Sequence, residues 1–378
     1  MNALQRKLCL RTHFWRTTPA NVLELRYDAQ RNFAMERLVI SILLLAIPAL
    51  TADKKIVLQA SSAQSWVSND AALARYRAAA GTGADIVVVR SRAEFTREIG
   101  DADAIIGGIT KEDFPAAKKL KWVQAISAGV EAYSFWPEFV KSDVQLTNCK
   151  VVQGPTIADH AFAMLLALTR GLNEYIPNRT KRQWGNRTNA PENMTELPGM
   201  TAVIVGAGGI GTQIAQRANG FGMKVIGVDP RDMPVSNFFS EIVPPDRLDE
   251  VLPKADVVFI SAPLTPKSER MIASRQFDLM KQGAYFIAVS RGRLYDKQAL
   301  VKALDSKKLS GAGLDVTDPE PLPAEDSLWN FSNVVITPHV ASAAEGSNQR
   351  RIGVIEDNIR RFAHGAALTH VVDKAKGY

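Results

Sequence analysis

Five residues that read as a buried strand, Thr201-Ala-Val-Ile-Val205, run directly into Gly206-Ala-Gly208-Gly209-Ile210-Gly211, and a helical stretch follows to Phe221. This run fits G-x-G-x-x-G, and each glycine has a physical reason. Gly206 allows a tight turn, Gly208 lets the backbone approach a pyrophosphate, and Gly211 permits a helix to pack closely on a strand. Gly209 and Ile210 open the helix, whose free N–H groups and positive dipole end suit phosphate oxygens. Lys224-Val-Ile-Gly-Val228 reads as the next strand and delivers Asp229, 18 residues after Gly211. An acid there accepts hydrogen bonds from ribose hydroxyls and repels a 2′-phosphate, so the segment calls for NAD. Arg231, two residues on, leaves room for NADP.

The rest of the chain supports a fold built around that unit. Strand candidates Lys55–Gln59, Asp85–Val89, Ala104–Ile106 and Trp122–Ile126 alternate with Ala- and charge-rich helical stretches such as Asp70–Ala80 and Glu112–Lys119. A long apolar helix is expected over Ile157–Leu172, then a polar connection over Asn173–Pro198. After strands 201–205 and 224–228 come 256–260, 284–289, 311–315 and 333–337, then an amphipathic helix over about Glu345–Ala363. Strand–helix alternation produces parallel sheets covered on both faces. The expected class is α/β, with two Rossmann-like doubly wound domains, 54–155 and 156–342, and a cleft between them.

Upstream, Leu38–Leu50 is thirteen residues without a charge, too short to span a bilayer, which needs about 20 residues. Arg37 before it and Thr51-Ala52 after it match a secretory signal over 35–52, so residues 1–53 read as a leader. Such a signal implies export, for example to a periplasm; the alternative is a buried opening element in a cytoplasmic protein. No integral membrane span is expected in the mature chain. Seven basic residues (Arg6, Lys7, Arg11, Arg16, Arg26, Arg31, Arg37) face three acids (Glu24, Asp28, Glu36) in 1–37, which is +4 of the net +7. The remaining 341 residues carry only +3, so the basic balance is no argument for nucleic acid. Two cysteines, Cys9 and Cys149, exclude a disulfide scaffold. There is no HExxH spacing and no Cys/His cluster, so no metal site is expected.

Ligands of open α/β sheets bind at the carboxyl ends of strands. Pro263-Leu-Thr265, Ser290-Arg291-Gly292, Asp318-Pro-Glu320-Pro-Leu-Pro323 and Thr337-Pro-His339 each follow a strand of the second series. Arg291 can hold a carboxylate through a planar fork. His339 can exchange a proton with a substrate oxygen near neutral pH. Glu320, if beside His339, would favour the imidazolium. His339 is the one histidine of five that follows a strand of the dinucleotide sheet.

From Lys54 onward these motifs, with Gly313-Leu-Asp-Val316 and Ser127-Ala-Gly-Val130 added, resemble the D-isomer-specific 2-hydroxyacid dehydrogenase family. The resemblance implies an NAD-dependent oxidoreductase that moves a hydride between nicotinamide and C2 of a small 2-hydroxy or 2-oxo acid, such as glyoxylate or hydroxypyruvate. It implies Arg291 as substrate anchor and Glu320–His339 as the acid/base. Backbone N–H groups of Ala128, Gly129 and Val130 would bind carboxylate, Thr265 would line the cofactor site, and Asp315 would contact the nicotinamide carboxamide. It further implies a homodimer, and a last segment (343–378) that returns to complete the first domain. Thr317 stands where an aromatic is frequent in the family, and Ala288-Val289 where an Asn is usual. Two rivals remain open: an NAD(H)-sensing corepressor-like interaction protein, and a phosphite-type dehydrogenase.

Overall fold

The computed structural model describes residues 53–184, 194–231 and 237–378. The segment read as a signal, 35–52, lies outside the described residues. Twelve strands among the described residues form two wholly parallel sheets. The first contains β1 (Lys55–Gln59), β2 (Asp85–Val89), β3 (Ala104–Gly107), β4 (Trp122–Ala125) and β5 (Gln145–Thr147), in the order β2-β1-β3-β4-β5. The second contains β6 (Thr201–Val205), β7 (Lys224–Val228), β8 (Glu241–Val243), β9 (Val257–Ile260), β10 (Ala284–Ala288), β11 (Leu309–Leu314) and β12 (Val334–Ile336). Its order is β12-β11-β10-β9-β6-β7-β8. Both orders reverse once, at β1/β3 and at β6/β9. Those reversals open the crevices in which ligands of such sheets sit.

The central strands are apolar end to end because parallel strands are buried on both faces. Every residue of β4, β9 and β10 is buried. Helices 154–169 and 209–220 cover one face of the second sheet through Phe162, Leu165, Ile214 and Ala218. Helices 274–279 and 297–305 cover the other through Phe277, Leu300 and Leu304. The last helix, Glu345–Ala363, lies on the first sheet, with Ile352, Ile355 and Ile359 packed among Ile56, Leu58 and Tyr76. Lys54 Nζ caps its final carbonyls at Phe362 (2.8 Å) and Ala363 (3.0 Å). The fully buried Asn358 of this helix donates to Gln124 Oε1 of β4 at 2.9 Å, so the buried amide is satisfied.

Four expectations need correction. The connecting helix runs Gly154–Thr169 rather than 157–172: Pro155 suits a first turn, and Gly171 at φ 64° ends the run in the left-handed region. The stretch 112–119 holds only a short 3-10 turn at Phe114–Ala116, since Pro115 cannot continue a helix. The polar connection holds two single helical turns, Leu172–Tyr175 and Asn178–Lys181. The second sheet has seven strands, not six, because β8 pairs with β7 at the edge. No helix among the described residues is long and apolar enough to cross a membrane.

Candidate active site

The carboxyl ends of the two sheets line one cavity of about 1120 Å³. That is room for a dinucleotide and a small acid together. At its second-sheet end, Gly206 adopts φ 98°, a conformation that favours glycine, directly after β6. A side chain on Gly211 would collide with the Gly206 carbonyl, so the helix starting at Gly209 can approach β6 only with glycine there. Gly206, Gly208, Gly209 and Ile210 line the cavity, and the first turn of helix 209–220 points its N–H groups at it. A Cβ on Gly208 would meet only the Arg231 guanidinium, at 3.5 Å. These features fit a dinucleotide pyrophosphate.

Asp229 is buried, and its carboxylate is already engaged. It accepts from Ala207 N (3.0 Å), Arg231 N (3.1 Å), Arg231 Nε (2.8 Å) and Arg231 Nη2 (3.0 Å). The expected free acid is therefore an ion pair with the very residue that the sequence sets against it. Thr265 also lines the cavity, with its hydroxyl 3.1 Å from Ser268 Oγ.

At the other end lies the loop Ser127–Val130, which follows β4. Ser127 Oγ donates to the Gly129 carbonyl (2.7 Å), and Asn148 Nδ2 donates to the Ala128 carbonyl (2.6 Å). With those carbonyls held by side chains, no acceptor among the described residues meets the N–H groups of Ala128, Gly129 or Val130. Arg291 reaches this loop from the end of β10, where Asp296 caps the following helix by accepting from Ala299 N at 2.8 Å. Its Nη1 donates to the Ser290 carbonyl at 2.7 Å.

His339 stands opposite. Its Nδ1 lies 2.8 Å from Glu320 Oε2. The other oxygen of Glu320 accepts from Thr317 N at 3.1 Å, which fixes the acid in its loop. Glu320 stands behind His339 rather than on the cavity wall. The backbone of His339 is left-handed, at φ 54°. Asp315, 2% exposed, holds it there. The Asp315 carbonyl accepts from His339 N (2.8 Å), and its carboxylate accepts from Thr337 Oγ1 (2.6 Å), Val340 N (2.9 Å) and Ala341 N (3.0 Å). The Asp315 carboxylate, expected at the nicotinamide, is thus occupied by the loop that carries His339.

Three features escaped sequence reading. Glu131 accepts from Arg291 Nε at 2.7 Å and from Nη2 at 3.4 Å. Burial would push its carboxyl up, but the guanidinium on it holds it below the usual carboxylate range. His160 Nε2, on the connecting helix, sits 2.9 Å from Thr337 Oγ1 and extends the Asp315 network. Residues 375–378, read only as part of the returning segment 343–378, line the cavity, and Gly377 lies against Ser134 and Thr265. Cys149 is buried, its thiol pushed up to about 12 by that burial, so it is no nucleophile. Among the described residues no cluster of metal-ligating side chains occurs.

Comparison with known proteins points to one family. The family model for the NAD binding domain of D-isomer specific 2-hydroxyacid dehydrogenases matches residues 162–341. The glyoxylate reductase of Korarchaeum cryptofilum is 33% identical over 292 residues, covering 75% of this chain and 86% of that protein. The glyoxylate reductase of Thermofilum pendens is 34% identical over 291 residues, covering 75% and 85%. Among solved structures, a D-isomer specific 2-hydroxyacid dehydrogenase family protein from Aeromonas salmonicida superposes with TM-score 0.72 at 29% identity, over 85% of this chain and 99% of that one. The NADPH-dependent glyoxylate/hydroxypyruvate reductase of Sinorhizobium meliloti, in complex with NADP and sulfate, gives TM-score 0.72 at 28% identity, over 86% and 100%. With a dinucleotide motif, two parallel-sheet lobes and these relatives in agreement, the chain belongs to the D-isomer specific 2-hydroxyacid dehydrogenase family of NAD(P)-dependent oxidoreductases.

Proposed function

We propose that this protein is an NAD(H)-dependent dehydrogenase that interconverts a small 2-oxoacid, of glyoxylate or hydroxypyruvate type, and the D-2-hydroxyacid. The single observation behind this reading is convergence: Arg291, His339 and the Ser127–Val130 loop, from three strand ends of two sheets, face one cavity beside the glycine motif. The bound nicotinamide would supply or take up the hydride. Arg291 and the N–H groups of residues 128–130 would hold the carboxylate and orient the C2 carbonyl. Glu320 accepts at Nδ1 of His339, so Nε2 is the nitrogen left to give its proton to the carbonyl oxygen during reduction and to recover it during oxidation. The Gly206–Gly211 turn would hold the pyrophosphate, and Asp229 the adenosine ribose, which favours NAD over NADP. In this reading residues 54–155 with 343–378 form the substrate lobe, residues 156–342 form the cofactor lobe, and two copies associate as a homodimer.

The test is NADH oxidation by the purified protein over a panel of 2-oxoacids with phosphite as an added arm under NAD. Turnover of a small 2-oxoacid is the expected result. Tight NADH binding without turnover of any substrate contradicts the reading and favours a cofactor-sensing role.

A further inference from the structure

We propose that Glu131 sets the substrate class: it is a fixed anion at the substrate end of the cavity that excludes 2-oxoacids carrying a second carboxylate. It favours those whose C3 end is small, or is a hydrogen-bond donor. This rests on the reading of Arg291 as the carboxylate anchor.

The placement of Glu131 is unusual for an acid. It follows the carboxylate-binding loop directly, lines the cavity, and grips the Nε edge of Arg291 at 2.7 Å. The pair lies against Gly129, where a Cβ would overlap Arg291 Nη2 and come within 2.6 Å of Glu131 Oε2. Both partners are partly buried, with side chains 25% and 31% exposed, so solvent screens the pair only in part. Arg291 grips Glu131 directly, and Arg293 also lies within electrostatic reach of it. The other acids near the cavity are committed: Asp315 to the His339 loop, Asp229 to Arg231, and Glu320 to the far side of His339.

Charge then decides what fits. One substrate carboxylate already shares Arg291 with Glu131, so the guanidinium serves two anions. A second carboxylate would bring a third negative charge to Arg291; the other basic side chains on the cavity wall, Lys150, Arg231, Lys267, Arg351 and Lys376, make no hydrogen bond to Glu131 or Arg291. A hydroxyl on C3 instead can donate to a Glu131 oxygen. Exclusion by an unfavourable charge is a common route to specificity, because the competing ligand is rejected rather than the correct one bound more tightly.

The experiment compares kcat/KM for hydroxypyruvate, glyoxylate and oxaloacetate, with NADH, in the wild type, Glu131→Gln and Glu131→Asp. Folding is checked by circular dichroism and by NADH affinity. The wild type should prefer hydroxypyruvate. Glu131→Gln should raise the oxaloacetate-to-hydroxypyruvate ratio about tenfold or more, the scale of removing one like charge at a partly solvated site, chiefly through KM for oxaloacetate. Glu131→Asp, which keeps the charge, should keep the wild-type ratio. A ratio unchanged in Glu131→Gln, or a wild type that prefers oxaloacetate, overturns the proposal while leaving the function intact. A wild type that binds NADH but turns over none of the three overturns the underlying function itself, and the proposal with it.

Discussion

Asp315 and His339 are joined through the backbone rather than through their side chains: the His339 N–H donates to the Asp315 carbonyl at 2.8 Å, and the Asp315 carboxylate collects the next two N–H groups of the chain. The histidine is thereby held at φ 54°, a conformation that costs a non-glycine residue about 1–3 kcal/mol. Asp315 is a positioning residue in this account. Asp315→Asn keeps the size but puts an amide N–H₂ against donors. It should lower kcat about 10- to 100-fold through misplacement of His339, and lower stability by about 1–3 kcal/mol through unsatisfied buried groups. Steady-state kinetics and a thermal melt check both numbers. A variant with normal kcat would mean that the loop holds its shape without the acid.

Arg291→Lys keeps the positive charge but loses the planar fork that serves Glu131 and the substrate together. KM should rise and kcat fall, lowering kcat/KM by about 10- to 100-fold, the worth of one charge-assisted hydrogen bond. Saturation kinetics with the best 2-oxoacid measure both constants. Wild-type behaviour would place the anchor elsewhere.

Cofactor choice turns on the Asp229–Arg231 pair. Ribose hydroxyls and a 2′-phosphate would each have to draw the Arg231 side chain off the carboxylate; once it is off, hydroxyls can donate to the buried acid, whereas a phosphate is repelled by it. NADH should therefore exceed NADPH by about tenfold or more in kcat/KM. A preference for NADPH would show that Arg231 governs the site in place of Asp229.

What the sequence disclosed followed from burial. β1, β2, β6 and β7 were legible residue for residue because each carries a run of at least three mostly β-branched apolar residues between turns or charged residues. β5 and β8 have three residues each at sheet edges, too short to carry a period. Arg291, Glu320 and His339 were legible as strand-end residues, and the structure brings Glu320 and His339 into hydrogen-bond contact. The Glu131–Arg291 contact spans 160 positions and the His160–Thr337 contact 177. No local pattern encodes a pairing between elements so far apart along the chain, so these partners emerged only once the chain was folded. The tail at 375–378 was hidden for the same reason: four residues carry no pattern, and only the folded chain puts them on the cavity wall.

In the proposed reaction His339 Nε2 carries the proton, and turnover and NADH affinity of His339→Ala, side by side with the wild type on the best 2-oxoacid, test that role. General acid–base catalysis contributes about 10²–10⁴-fold. A kcat loss of that size is expected with an NADH dissociation constant nearly unchanged, because His339 faces the substrate end while the Gly206–Gly211 turn stands apart. Near-normal turnover in a folded His339→Ala protein would contradict it.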